Sequence, residues 1–282
     1  MRKFLSNIVR SIKEVTLPLW AGVRGKRVHE PLSGRGDGIV VSLTSFPARI
    51  KGVRIVLDSL FRQTMRPDRI VLVLTEEEFP GGLADLPPQL TAYLGLGVEI
   101  IFLPYNHRCH NKYLYSLKEF PDATVITVDD DCYYRSDTIA RLMELHGGYP
   151  GAVCCNIAAV IDPDHFHEYS CWKKSSSALA PGSRNVALGF AGILYPPGMA
   201  SVPHLLDAGL SSRLSPTADD LWLKACEMSA GIDVACGGFF PKPVTIKRAQ
   251  RVSLRSINKG AVNRNDVQWK ALDGYFGLKE RL

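Results

Sequence analysis

The sequence predicts an α/β fold, a doubly wound and mainly parallel sheet with flanking helices, and three observations predict it. Short apolar, β-branched runs recur at Ile39–Leu43, Ile70–Leu74, Val98–Leu103 and Thr124–Val128, about 25–30 residues apart, the beat of successive βαβ units. These runs are continuously apolar, as strands buried on both faces are. Segments of helical period lie between them.

The elements follow in order. Ile50, Val53, Val56, Leu57 and Leu60 mark one face of a helix after the first strand. Lys112–Phe120 is a shorter helix candidate, and a further helix is expected over about 136–146. Val153–Ile161 contains another strand, whereas Asp162–Val186 is polar, rich in Ser, Lys and His, and reads as loop. Ala187–Tyr195 is apolar and punctuated by Gly189 and Gly192, which suits either a close backbone approach to a ligand or a tightly packed strand. Ala218–Ala230 reads as a helix, with Thr217 as the capping candidate, Asp219 and Asp220 in its first turn and Gly231 just past its end.

Charge divides the chain. Residues 1–36 hold eight Lys or Arg against Glu14 and Glu30, which accounts for the whole net charge of +6, so the remainder is balanced. Residues 1–36 are therefore read as a basic arm and linker, and 37–282 as a single catalytic domain. Phe4, Leu5, Ile8, Val9, Ile12 and Val15 repeat at helical spacing up to Pro18. Such a helix can lie on an anionic membrane surface, or dock on its own domain or in a dimer. A balanced body argues against a nucleic-acid partner.

The seven cysteines include no C-x-x-C pair, and Cys154 and Cys155 sit in an apolar run, so they read as reduced core residues. No stretch approaches the ~20 apolar residues of a membrane span, and the N-terminus does not read as a signal peptide. The expected location is the cytoplasm, with a peripheral place on the inner face of the cell membrane if the arm binds there.

The strongest chemical signal is Asp129-Asp130-Asp131, directly after an apolar strand. Adjacent carboxylates repel, and a fold holds them cheaply only in water or around a cation. In an open α/β sheet the carboxyl ends of the strands face the ligand crevice. Alternate residues of an extended chain point the same way, so Asp129 and Asp131 can share one site, and all-oxygen ligands suit Mg²⁺ or Mn²⁺. The plainer reading is an acidic turn.

Val125–Tyr134, V-I-T-V-D-D-D-C-Y-Y, resembles the strand and D-x-D motif of GT-A glycosyltransferases, near the family 2 type. Ser42–Ile50, S-L-T-S-F-P-A-R-I, is similar to the nucleotide-binding first loop of a bacterial subset assigned to surface-polysaccharide synthesis. Asn111-Lys112 resembles the lysine ahead of the D-x-D strand. Thr217–Gly231, T-A-D-D-L-W-L-K-A-C-E-M-S-A-G, is similar to the E-D motif, whose acidic pair opens a helix that ends in Gly. The resemblance spans roughly Ile39–Ala235. D-D-D alone is weakly specific, but four motifs in order and at proper spacing are strong.

The resemblance implies a GT-A fold with an irregular acceptor-side region, and an inverting transfer from a nucleotide-diphosphate sugar to a hydroxyl of a glycan or lipid-linked acceptor. It implies Mn²⁺ or Mg²⁺ on Asp131, with Asp129 on the ribose or a metal-bound water and Asp130 beside them. Thr44, Ser45, Pro47, Arg49 and Lys112 would line the donor pocket. Asp220 would be the general base, with Asp219 the other candidate. For Arg49 the alternative is a surface residue opening the helix, and for Lys112 an exposed helix residue. Acidic residues in a helix's first turn are also favoured by its dipole alone.

The family's downstream metal-binding His is missing, since the last histidine is His204, and Asn263, Asn265, Asp266 or water would have to substitute. His165 and His167 could bind a metal or belong to a solvated loop. Trp172 and Trp222 could stack on sugars or pack in the core. Two other classes stay open: another Mg²⁺-dependent phosphate enzyme, such as a nucleotidyltransferase, and a non-catalytic carbohydrate-binding protein. The first loop has no glycine and there is no Walker-type P-loop, which count against the former. The donor base and sugar are set by pocket shape, mainly in Asn156–Pro216.

Overall fold

The fold is taken from a computed structural model that describes residues 29–35, 38–175, 177–238, 242–246 and 263–282. The arm helix, in residues 1–28, lies outside the described residues. Residues 29–35, read from sequence as linker, lie against the body: Leu32 N donates to Leu96 O at 3.0 Å, and Ser33 and Arg35 both reach Asp68.

The strands are β1 (Ile39–Thr44), β2 (Arg69–Thr75), β3 (Val98–Leu103), β4 (Thr124–Thr127), β5 (Cys132–Tyr133), β6 (Val153–Cys155), β7 (Ala158–Val160), β8 (Lys173–Lys174), β9 (Leu179–Gly182), β10 (Asn185–Ala187), β11 (Ile193–Tyr195), β12 (Val234–Cys236) and β13 (Val244–Thr245). The main helices are α1 (Ile50–Phe61), α2 (Asn111–Glu119), α3 (Thr138–Gly148), α4 (Ala208–Leu214), α5 (Asp219–Ala230) and α6 (Arg264–Phe276).

An eight-stranded sheet runs β3-β2-β1-β4-β11-β6-β12-β9. β1, β2, β3 and β4 are mutually parallel, and β6 and β12 continue that direction; only β11 and β9 run against it. The predicted doubly wound, mainly parallel α/β sheet is thus the observed one. Alternate residues of the strands feed two cores. Val41, Leu43, Ile70, Leu72 and Ile126 pack with Val53, Val56, Leu57 and Leu60 of α1 and Leu142 of α3. Val40, Val71, Val73 and Val125 pack on the other face with Tyr113 of α2, Trp222 of α5 and Trp269 of α6. Each fully buried aliphatic side chain contributes about 1.5–3 kcal/mol, so both helical layers are held firmly.

The order 3-2-1-4 places a topological switch between β1 and β4, because the chain leaves β1 for β2 and β3 and returns on the other side. Crevices at such points take ligands. Register sets Ser42 opposite Thr127, so residues 45–49 and 129–131 leave the sheet at one edge. Antiparallel β11 has its start at that same edge, Ile193 lying opposite Thr127, which brings Gly189–Gly192 there. α5 precedes β12, a strand of the common direction, so the N-terminus of α5 also reaches this edge.

Three expectations are corrected. Asp162–Val186 is not all loop: β8, β9 and the start of β10 lie in it, and β7, β8 and β10 form a separate three-stranded sheet. These strands are two to four residues long, too short to show a period. Thr217 does not cap α5. Ala218 occupies the cap without a side-chain bond, and the Thr217 amide donates instead to Gln268 Oε1 at 2.9 Å. Asn263 caps α6 by accepting from the Asn265 amide, and Asp266 accepts from the Tyr169 amide, so these two of the suggested substitute ligands are engaged in holding α6 and its neighbouring loop.

Candidate functional site

The site begins with Ser42, buried in mid-strand β1. Its hydroxyl donates to Lys112 O at 2.6 Å and accepts from Ser116 Oγ at 2.8 Å. These bonds fasten the first turn of α2 to β1 and set Lys112 at the carboxyl edge of the sheet. Lys112 is buried, with Nζ 2.7 Å from Asp129 Oδ1 and 2.9 Å from Asp219 Oδ2. A single ammonium thus joins the motif after β4 to the start of α5. Burial works to discharge Lys112, but Asp129, Asp219 and Asp220 outweigh it and push its pKa well up.

The middle aspartate is held differently. Asp130 accepts from Ser45 Oγ and from an Arg49 guanidinium nitrogen, both at 2.6 Å, so both of its oxygens are committed. The same Arg49 nitrogen lies 3.2 Å from Asp131 Oδ2. Arg49 is thereby a largely buried counter-charge, and not a surface residue opening the helix. Burial raises Asp130 above the ordinary carboxylate range despite Arg49 and Ser45. Asp131 is pushed up to about 6, by burial first and by the charge of Asp129 second, with Arg49 opposing.

The other first-loop residues take lesser places. The Thr44 hydroxyl donates to Val73 O at 2.8 Å and is spent on the sheet. Pro47 lies exposed in the turn that opens α1. Tyr134, buried, was not singled out in the sequence; its hydroxyl accepts from the Asp129 amide at 2.8 Å and fixes the backbone of the acidic motif. The position, five residues after the motif begins, carries no chemical signature. Gly189 is more legible. Its N–H donates to both Asp220 oxygens, at 3.1 and 3.3 Å. A Cβ there would stand 3.0 Å from Asp220 Oδ1, 3.5 Å from Lys112 Nζ and 3.6 Å from Asp129 Oδ1. Glycine lets the backbone lie against this charge cluster without displacing Asp220.

Asp219 and Asp220 separate chemically. Asp219 is buried, yet Lys112 and, after it, His110 overcome that burial and hold its pKa below the ordinary value. Asp220 is partly exposed at the crevice and bonded to the Gly189 N–H; desolvation, then the charge of Asp219, pushes it well above the ordinary carboxylate value. The two neighbours are thus shifted in opposite directions, as paired carboxylates in different environments are.

Asp129 and Asp131 fit a divalent cation. They are oxygen donors whose mutual repulsion raises Asp131, and a cation between them would relieve it. Among the described residues they are not joined by a third close His, Cys, Asp or Glu donor, so diphosphate oxygens and water would complete the shell.

The remaining sequence candidates fall outside this crevice. Trp172 and Trp222 are buried and pack: Trp172 lies edge-on to Trp269, and Trp222 Nε1 donates to Leu205 O. His167 bonds Asp273 at 2.8 Å. All seven cysteines are free, and all but Cys171 are buried. No described helix is long and apolar enough to cross a membrane.

No protein-family model and no curated protein matches the chain. Among solved structures it is similar to S. aureus TarS residues 1–349 in complex with UDP, at 13% identity and TM-score 0.47, covering 73% of this chain and 59% of that one. It is also similar to the mannosyltransferase PcManGT from Pyrobaculum calidifontis in complex with GDP-Man and Mn²⁺, at 12% identity and TM-score 0.44, covering 96% and 80%. A third likeness is to a CMP:2-keto-3-deoxy-manno-octonic acid synthetase complexed with CTP, at 12% identity and TM-score 0.43, covering 79% and 100%. The chain spans about three-fifths of the length of the first of these. Likeness at this level carries no argument about function, which rests on the residues of the site.

Proposed function

We propose that the protein is an inverting, metal-dependent glycosyltransferase that moves a sugar from a nucleotide-diphosphate sugar to a hydroxyl of a glycan or lipid-linked acceptor. The observation that carries this is the convergence at the β1/β4 switch point. Asp129 and Asp131 follow β4 at that edge, Lys112 bridges Asp129 to Asp219, and Asp220 stands alongside against the Gly189 N–H.

In this reading Asp131 and Asp129 would hold Mn²⁺ or Mg²⁺, which would supply Lewis-acid stabilisation of the departing diphosphate. Arg49 and Ser45 hold Asp130 rigid, which keeps the flanking aspartates at the right depth. Lys112 fixes Asp129 and keeps Asp219 ionised. Asp219 in turn raises the proton affinity of Asp220, which takes the proton from the acceptor hydroxyl as that oxygen attacks the anomeric carbon. A single base opposite the leaving group gives inversion. The role in surface-polysaccharide synthesis rests on the sequence resemblance of the first loop.

The test is incubation with a panel of nucleotide sugars, with Mn²⁺ or with chelator. Metal-dependent release of nucleoside diphosphate is expected, and Asp131→Ala should abolish it without unfolding the chain. Pyrophosphate release would instead make the protein a nucleotidyltransferase, and sugar binding without turnover would make it a carbohydrate-binding protein. A product of retained anomeric configuration would overturn the assignment of Asp220 as a lone base.

A further inference from the structure

Outside the charge cluster at the β1/β4 edge, three chemically different donors meet on the loop between β7 and β8. His165, Glu168 and Cys171 each offer a ligand atom, and these atoms all lie within 4.8 Å of one another. His165 Nδ1 is 3.2 Å from Glu168 Oε1, and Cys171 Sγ is 3.5 Å from Glu168 Oε2. A tetrahedral Zn²⁺ with bonds of ~2.0–2.3 Å sets its ligand atoms ~3.3–3.8 Å apart; His165 and Cys171 each approach that spacing from Glu168, one at each carboxylate oxygen, so a small rotation of that carboxylate gathers the three donors around one ion.

The backbone explains the convergence. The Glu168 amide donates to His165 O at 2.9 Å and the Cys171 amide to Glu168 O at 2.8 Å, two successive turns of three-residue period. The two turns meet at Glu168 and bring the ligand atoms of residues 165, 168 and 171 together. Their neighbours Phe166, His167, Tyr169 and Trp172 are anchored on α6 instead. His167 bonds Asp273 at 2.8 Å, the Tyr169 amide bonds Asp266 at 2.9 Å, and Phe166 and Trp172 both pack on the Trp269 ring. The loop is thus held on α6 by contacts that need no ligand, which leaves the three donors pre-positioned on the solvent side.

We propose that His165, Glu168 and Cys171 form a binding site for a zinc-class cation, separate from the Asp129–Asp131 site and with its fourth position open to water. The donor set decides the class of ion. Thiolate and imidazole favour Zn²⁺ over Mg²⁺ or Mn²⁺, whereas the acidic motif offers oxygen alone. Binding forms metal–sulfur and metal–nitrogen bonds and releases to solvent the Cys171 proton and the proton that His165 shares with Glu168, whose carboxylate is held ionised by His165. The bound ion closes the loop that leads from β7 into β8 and fixes the outer sheet beside Gly189.

Co²⁺ is the probe, because its bond to a thiolate gives a near-ultraviolet charge-transfer band. The metal-stripped full-length Asp131→Ala protein, which lacks the acidic site, is titrated with Co²⁺. A thiolate band of one equivalent is expected, lost in an added Cys171→Ser change and weakened at least ~10-fold in affinity by His165→Ala or Glu168→Gln. Cys171 is also the one cysteine that is not buried, so its alkylation in the native protein is a second readout that needs no substitution. Stoichiometric Zn²⁺ should slow it at least ~10-fold. No thiolate band, a band that survives Cys171→Ser, or alkylation indifferent to Zn²⁺ would each overturn the proposal and reduce the cluster to ordinary hydrogen bonding around Glu168.

Discussion

Asp219 and Asp220 are neighbours in sequence with opposite electrostatic fates, and the test of their roles lies in that difference. Lys112 holds Asp219 ionised, while burial and the charge of Asp219 raise Asp220. A base works deprotonated, so turnover should rise with pH through an Asp220 pKa above the ordinary carboxylate range. Asp220→Asn should lower kcat by about 10²–10⁴-fold with nucleotide affinity intact. Asp219→Asn should move the rising limb to lower pH, because it removes the negative neighbour and leaves Lys112 to Asp129 and Asp220; if it is instead the variant that loses turnover, the two roles are exchanged. Gly189→Ala is a sharper probe of geometry. Its Cβ would press on Asp220 Oδ1 at 3.0 Å, and a shift of a few tenths of an ångström should cost about 10–100-fold in kcat, measured beside an unchanged unfolding midpoint.

At the scale of the element, α5 carries both the acidic pair and a second buried pair one and two turns on. Lys224 and Glu227 are almost fully buried with 3.8 Å between Nζ and Oε2. Burial pushes Glu227 up to about 7, with Lys224 pulling the other way. Because the folded value exceeds the ordinary 4.5, the folded chain takes up this proton more readily than the unfolded one. The stabilisation is therefore complete below about 4.5 and is lost as pH rises through the folded pKa. Lys224→Met removes the opposing cation and raises that pKa further. The variant should be less stable than the parent by of order 3 kcal/mol at about pH 8 and markedly less affected at about pH 5, as urea unfolding would read. Equal losses at both values would mean that Lys224 acts through packing alone. Helix α5 was legible in sequence from Asp219 to the αL glycine at Gly231. Its cap was not, because the Thr217 hydroxyl and amide are drawn to Gln268, a residue of α6 that no local rule connects to it.

At the scale of the molecule, the first question is what the N-terminal segment does. Ser33 and Arg35 bond the Asp68 carboxylate, which also accepts from the Ile39 amide, and these partners hold Asp68 below its ordinary pKa against the burial that raises it. A truncated chain beginning at His29 should keep the unfolding free energy of the whole, whereas one beginning at Gly38 should lose about 1–3 kcal/mol. The residues ahead of His29 carry most of the excess positive charge. At about 1 kcal/mol for each basic residue near an anionic surface, the full chain should co-sediment with anionic liposomes, salt should weaken this, and the chain from His29 should not bind. Liposomes ignored by both would make the arm a packing or dimer element.

By itself, the sequence determined the fold class, the first four strands of the sheet with α1 and α2, and the acidic and basic residues that gather at the candidate site. Short continuous apolar runs bounded by turn residues fit strands buried on both faces of a sheet, and three adjacent carboxylates call for water or positive charge, part of which Arg49 and Lys112 supply. Tertiary structure alone decided the partners. That β11 enters backwards between β4 and β6 is invisible in a three-residue strand, yet it brings Gly189 to Asp220. That Arg49 and Ser45 claim Asp130, and that Lys112 spans Asp129 and Asp219, follows from the register of β1 against β4 and from Ser42 clasping α2. Such contacts join residues some tens of positions or more apart, and no local pattern encodes a distance of that kind; it is fixed only when the packed sheet brings the carboxyl ends of its strands to one edge.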